Sequence, residues 1–232
     1  MEDDANEWRI WLTENAKRGI DFLAKTIAAT VAKRVAASSL KWIEDSSSPA
    51  GDSWPRITKR LVAKISPWVD LVAREVEFSP RTGSQTYHSV ATFDYVIVLA
   101  VTPDGRIPLV RQYRPAVEGM TLELPAGTVD TGEDPAATAI RELLEETGLP
   151  SKAVHLLGIN KTDAGRLSNR VYSYFVRAGD QIAGFRPEEG VAVGFVTPSE
   201  LVGAVRSGEL DAQADLGTIL LAELFGHLVL RY

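Results

Sequence analysis

The stretch Gly127–Leu149, GTVDTGEDPAATAIRELLEETGL, decides the fold of this chain. It reads as a loop feeding a helix. Asp134 is a good N-cap, because its short carboxylate can accept a backbone N–H of the first turn, and Pro135 suits the first helical position. Gly148 follows the last turn and Pro150 blocks continuation, so the spacing predicts a helix over residues 135–147. On that helix Glu142, Glu145 and Glu146 stand at i, i+3 and i+4 and share one face. Ala136, Ile140, Leu143 and Leu144 gather on the opposite side and are expected to face a core.

Locally this arrangement is unfavourable. Three like charges crowd one another in the last turns, where the helix dipole already presents its negative end, at a cost of roughly 0.3–1 kcal/mol for each carboxylate. Two readings meet the observation: an acidic solvated face, or a site where clustered carboxylate oxygens hold a hard divalent cation. Mg²⁺ is the usual cation where phosphates are handled.

The full spacing separates them. Gly127, Glu133 and the run Arg141-Glu142-Leu143-Leu144-Glu145-Glu146-Thr147-Gly148-Leu149 resemble the Nudix box, Gly-x5-Glu-x7-Arg-Glu-(apolar)-x-Glu-Glu-x-Gly-(apolar), at every fixed position. A chance match in a chain of this length is on the order of one in ten million at ordinary residue frequencies.

Composition narrows the function classes. The chain has 232 residues, enough for one ordinary domain plus an extension, and a formal net charge of −6. That charge, with a pI near 5.2, argues against a nucleic-acid backbone as the main partner, since phosphate contacts need clustered Lys and Arg. The absence of cysteine excludes disulfides and thiolate chemistry and is compatible with a cytoplasmic location. MEDDANEW at residues 1–8 lacks the basic-then-apolar order of a signal peptide, and no uncharged apolar run reaches the ~18 residues of a membrane span.

Residues 1–45 carry a stripe at helical spacing (Ile20, Leu23, Ile27, Val31, Val35) and are expected to form a helical extension that packs on the domain or on a second subunit. Ser46–Asp52 reads as a linker, giving an extension over residues 1–52 and a domain over 53–232. Short strands are expected at 60–65, 68–78, 86–93, 95–101 and 107–113, the last two joined as a hairpin through Thr102-Pro103-Asp104-Gly105. Strands at 154–159, 171–177 and 191–196 follow. Thr197-Pro198-Ser199-Glu200 is a capping box opening a helix, and a last helix is expected over 215–230. Strands on both sides of a central helix, with helices closing the end, predict an α/β sandwich.

The likeness extends beyond the box. Leu109–Pro115, Leu122–Gly127 and Gly208–Ala212 are similar to the ADP-ribose (ADP-sugar) pyrophosphatase branch of the Nudix hydrolases. The resemblance implies an α/β/α fold with a mixed sheet, Mg²⁺ or Mn²⁺ dependence, and hydrolysis of ADP-ribose to AMP and ribose 5-phosphate. Glu142, Glu145 and Glu146 match the metal-binding carboxylates, and the carbonyl of Ala126 a further ligand. Glu133 and Arg141 look like a structural ion pair, with the metal shell as an alternative place for Glu133. Gly127 and Gly148 read as residues of special backbone conformation.

Arg114 matches a substrate-contacting arginine, whose planar guanidinium suits a diphosphate; Arg166 is a second candidate for a phosphate or the distal sugar. Trp68 and Tyr87 match aromatics that in this branch sandwich the adenine, one from each subunit of a homodimer. Glu189 matches the loop glutamate proposed as general base, with Glu188 as its alternative. His88, His155 and His227 read as isolated structural residues. The branch typically has an arginine five residues after the Tyr87 position, where this chain has Thr92, and a proline in the loop at 161–170, which has none. Rival substrates are therefore GDP-mannose, other sugar nucleotides, FAD and NADH. A non-catalytic nucleotide-sugar-binding protein is the rival from another class.

Overall fold

A computed structural model describes residues 41–44 and 54–230. The helical stripe of the expected extension and the 46–52 linker lie outside these residues. Within the expected extension, Trp42–Glu44 is a strand (β1) rather than helix, paired antiparallel to β2 (Arg56–Lys64). Two β-branched or aromatic residues in these three positions favour an extended edge over a helical turn.

Strands β3 (Asp70–Glu77) and β4 (Gln85–Ala91) complete a four-stranded antiparallel sheet in the order β1-β2-β3-β4. It joins the rest of the domain through Val90, whose N–H donates to the Arg166 carbonyl at 2.7 Å and whose carbonyl accepts the Ser168 N–H at 3.2 Å.

The second sheet carries the core. Its centre is β5 (Tyr95–Val101), a continuous apolar run with five successive buried residues, as expected of a strand covered on both faces. β5 pairs parallel with β10 (Val171–Ala178), which pairs antiparallel with β9 (Ser151–Asn160), while β8 (Ala126–Thr128) lines the other edge of β5 antiparallel. Side chains alternate along β5. Val96, Val98 and Ala100 meet Ala139, Leu143 and Leu149, from the helix α1 (Pro135–Thr147) and just beyond it. Ile97 and Leu99 meet Leu201 of α2 (Pro198–Ser207) and Ile219 and Ala222 of α3 (Gln213–Leu224). Helices therefore cover both faces of a mixed sheet, the α/β/α sandwich that the sequence implied.

A third sheet, β11-β6-β7, is built from β6 (Ile107–Arg114), β7 (Gly119–Glu123) and β11 (Ala192–Val196). This corrects the hairpin expected between β5 and β6. The turn closes, with Thr102 N–H to Arg106 O at 2.9 Å, but the two strands pair in different sheets. β8 and β10 occupy the two edges of β5, so β6 pairs instead with β7 and β11. β7 and β8 were not expected as strands; each is short, and the Leu124-Pro125 step separates them.

Two helices differ from expectation. α3 spans Gln213–Leu224 instead of 215–230, because Gly226 adopts φ 74 and turns the chain back. That turn buries Leu228 and stacks His227 on Phe175 with centroids 4.5 Å apart; His155 stacks on His227 at 5.0 Å, so these two histidines form one structural stack rather than standing isolated.

α1 has the predicted bounds, with Asp134 accepting the Ala136 N–H and Gly148 left-handed at φ 70, but it is rotated about its axis relative to the expected face. Thr138, Ala139, Leu143 and Thr147 are buried, whereas Ile140 and Leu144 are exposed. The rotation turns Glu142 and Glu146 inward. Leu143→Ala should therefore cost about 2–5 kcal/mol in urea unfolding, and Leu144→Ala less than about 1 kcal/mol. Equal losses at the two positions would contradict the rotation.

Candidate active site

The acidic face of α1 packs against the Leu124–Thr128 segment. Gly127 makes this approach feasible. A Cβ on Gly127 would lie 1.9 Å from Cδ of Glu142 and 2.1 Å from its Oε1, so the carboxylate occupies the space of the missing side chain. Gly127 was expected to serve backbone conformation; its φ is not positive, and close approach is the physical reason for it instead. Gly148 does serve conformation, at φ 70.

Arg141 organises the carboxylates. Its Nε and Nη2 donate to the two oxygens of Glu133 at 3.2 and 3.1 Å, a bidentate pair. Its Nη1 donates to Glu142 at 2.7 Å and to Glu145 at 3.0 Å. The Arg141 guanidinium, helped by the Thr138 hydroxyl, holds the Glu133 carboxyl down at about 2. The ion pair expected between Glu133 and Arg141 is present, and it braces the 127–134 loop against α1.

Glu146 lies on the inner side. Its Oε2 accepts the Ala126 N–H at 3.0 Å. Burial raises its carboxyl to about 7, against the opposing Ala126 bond and with the charge of Glu142 adding to the rise. Burial also raises Glu142. Ala126 is extended and pairs with Ile97 of β5.

The donor set has the chemistry of a hard-cation site: carboxylate oxygens, a carbonyl, and a cradle that a Cβ would fill. Among the described residues, no three carboxylates converge closely enough to enclose an ion. Glu145 is the outlying one, held away by Arg141 and 56% exposed.

A cleft of about 480 Å³ opens beside this face, lined by Trp68, Arg114, Glu123, Ala126, Gly127 and Asp215 among others. Arg114 reaches it from the end of β6. Its Nε donates to both oxygens of Glu123, at 2.9 and 3.2 Å. Thr121 and Gln112 also donate to Glu123; burial pushes that carboxyl up, but these bonds together outweigh burial and lower it. Glu123 and Asp215 were missed as site residues. Each left a signal, an acidic residue inside an apolar run (Leu122-Glu123-Leu124, and the apolar helix after Asp215). Asp215 is 4% exposed, accepts the Leu124 N–H at 3.0 Å, and is raised by burial to about 7.

Other expected residues stand apart. Trp68 lines the cleft, but Tyr87 is exposed on β4, in edge contact with Phe78 at 5.8 Å and donating to Gln85. Arg166 is largely exposed, 3.7 Å from Asp163. Glu188 and Glu189 lie in an exposed turn before β11 and do not line the cleft.

Residues 92–215, more than half of the chain, match the NUDIX domain family, and the chain belongs to it. It is 42% identical over 84 residues to the ADP-ribose pyrophosphatase of Bacillus subtilis (strain 168), covering 36% of this chain and 45% of that protein. It is 36% identical over 110 residues to the ADP-ribose pyrophosphatase of Mycobacterium tuberculosis (strain ATCC 25618 / H37Rv), covering 47% and 52%. It is also 38% identical over 82 residues to the methanol dehydrogenase activator of Bacillus methanolicus, covering 35% and 44%. The chain thus spans about half the length of these curated relatives. A solved structure titled "Crystal structure of ADP compounds hydrolase" superposes with a TM-score of 0.61 over 76% of this chain and 98% of that one, at 19% identity, which shows the shared fold.

The carboxyl shifts set a pH profile. Burial pushes Glu146 and Asp215 up to about 7 in the folded state, above their ordinary values of 4.5 and 3.8. Between those values the folded state binds more protons, so their contribution is complete at low pH and is lost as pH rises through 7. Glu133 has the opposite sign: its contribution is present above about 4.5 and is lost as pH falls through about 2. In EDTA the melting temperature should therefore fall from pH 5 to pH 8, and Glu146→Gln should flatten that slope. A wild-type profile that is level or rising over this range contradicts the burial of these carboxyls.

Proposed function

We propose that the chain hydrolyses the diphosphate bond of a nucleoside diphosphate sugar in a Mg²⁺-dependent reaction, with ADP-ribose giving AMP and ribose 5-phosphate. One observation carries this reading. Two inward-turned carboxylates, Glu142 and Glu146, contact Gly127 and Ala126, which line a cleft together with an arginine, Arg114, that can bind a diphosphate. Carboxylates in that position repel phosphate unless a cation stands between them. The pyrophosphatase relatives support the reaction class.

Glu142, Glu145, Glu146 and the Ala126 carbonyl would hold Mg²⁺ or Mn²⁺, with Glu145 leaving Arg141 to join the others. Bound there, the cation supplies charge neutralisation and a lowered pKa for a coordinated water. Arg114 orients the diphosphate through its guanidinium fork, exchanging part of its bond to Glu123 for phosphate oxygens. Glu189 takes the proton of the attacking water as its loop closes, with Glu188 next to it as the alternative. Trp68 stacks on the base, and the Tyr87 of a second copy completes the sandwich, which makes the working unit a homodimer. Arg166 reaches a phosphate or the distal sugar from the 161–170 loop.

Release of mononucleotide from ADP-ribose, GDP-mannose, FAD and NADH, with Mg²⁺ and with EDTA, tests the reading; ADP-ribose with Mg²⁺ should be turned over best. Glu146→Gln should lower kcat by at least about 100-fold with an unchanged circular-dichroism spectrum. Gly127→Ala should fold and yet lose the thermal stabilisation by Mg²⁺, because its methyl group displaces the Glu142 carboxylate. Near-normal turnover of a folded Glu146→Gln variant would sink the metal assignment.

A further inference from the structure

Two buried side chains with hydrogen-bond acceptors line the cleft without a part in the proposed chemistry. Asp215, in the first turn of α3, lines it and gives one carboxylate oxygen to the Leu124 N–H. Asn169, which is 6% exposed, lines the same cleft, and its Oδ1 is buried with no hydrogen-bond partner among the described residues. The aromatic residues Trp68, Phe93 and Tyr95 lie along the same cleft. Arg114, which also lines it, already gives its Nε to Glu123.

We propose that Asp215 and Asn169 form a subsite for the vicinal hydroxyls of a sugar, and that Asp215 is a specificity-determining residue for the hydrolase. The inference rests on the ADP-ribose reading above. Phosphate oxygens are acceptors and carry negative charge, so the amide carbonyl of Asn169 and the ionised form of Asp215 disfavour them. The groups that satisfy both oxygens are neutral donors, and a ribose diol presents two of them side by side. Arg114, lining the same cleft, offers donors to phosphate oxygens, while Asp215 and Asn169 offer acceptors to a sugar edge. A site that depends on hydrogen bonds to a hydroxyl rejects an analogue lacking it, because the acceptor is then left buried and unpaired.

ADP-ribose has two such sugars, the nucleoside ribose and the distal ribose. The test uses the full chain with Mg²⁺ and three substrates: ADP-ribose, its analogue lacking the 2′-hydroxyl of adenosine, and its analogue lacking the 2-hydroxyl of the distal ribose. Wild type should lose about tenfold or more in kcat/KM on one analogue, which identifies the sugar that is read. Asp215→Asn, which keeps an acceptor for Leu124, should raise KM for ADP-ribose about tenfold with little change in kcat, and should turn over the discriminated analogue as wild type does. Asn169→Ala should act in the same direction and serves as the second variant if Asp215→Asn does not fold. Equal treatment of all three substrates by wild type overturns the subsite. So does an Asp215→Asn variant that loses kcat on all of them alike, since Asp215 then acts only as a tether for Leu124. If wild type releases no AMP from ADP-ribose at all, the hydrolase reading itself fails, an outcome distinct from loss of discrimination in an active enzyme.

Discussion

The carboxylate of Glu142 stands where a side chain on Gly127 would stand, and the candidate site depends on that contact. It sets how closely α1 can approach the Leu124–Thr128 segment. It also turns the helix so that Glu146 meets the Ala126 N–H. The approach is costly without compensation, since burial disfavours both carboxylates. Arg141 offsets part of the cost by bonding Glu133, Glu142 and Glu145 together, which ties the entry loop to the helix through one guanidinium.

The sandwich provides the rigid base that such a site needs. β5 is covered on both faces, with Val96 and Val98 packed on α1 and Ile97 and Leu99 on the α2 and α3 side. β8 pairs with β5 through Ile97 and Ala126, so the backbone under Glu146 is held by the core strand itself. Asp215 adds a further tether from α3 to Leu124. Backbone held from three directions can present a carbonyl at a fixed place, which a loop alone does poorly. The residues expected to move, Glu188 and Glu189, lie outside this frame in an exposed turn.

Charge is distributed unevenly over the cleft. Arg114 lines it bonded to Glu123, next to Ala126 and Gly127, which touch the Glu146 and Glu142 carboxylates, and Asp215 and Asn169 add two buried acceptors.

The sequence by itself determined the local features. The bounds of α1, its Asp134 cap and Gly148 stop, the capping box of α2 and the apolar run of β5 all follow from near neighbours in the chain. The pairing of Glu133 with Arg141 was implied only by the resemblance to the Nudix box, with the metal shell as the other place for Glu133. Tertiary structure decided what depends on distant packing. The rotation of α1 was not legible, because the apolar count of a helix face carries no information about a glycine cradle on another element. The split of β5 and β6 into different sheets, the early end of α3 and the burial of Asp215 were hidden for the same reason. Each is set by partners far along the chain, and a sequence window sees only the near ones.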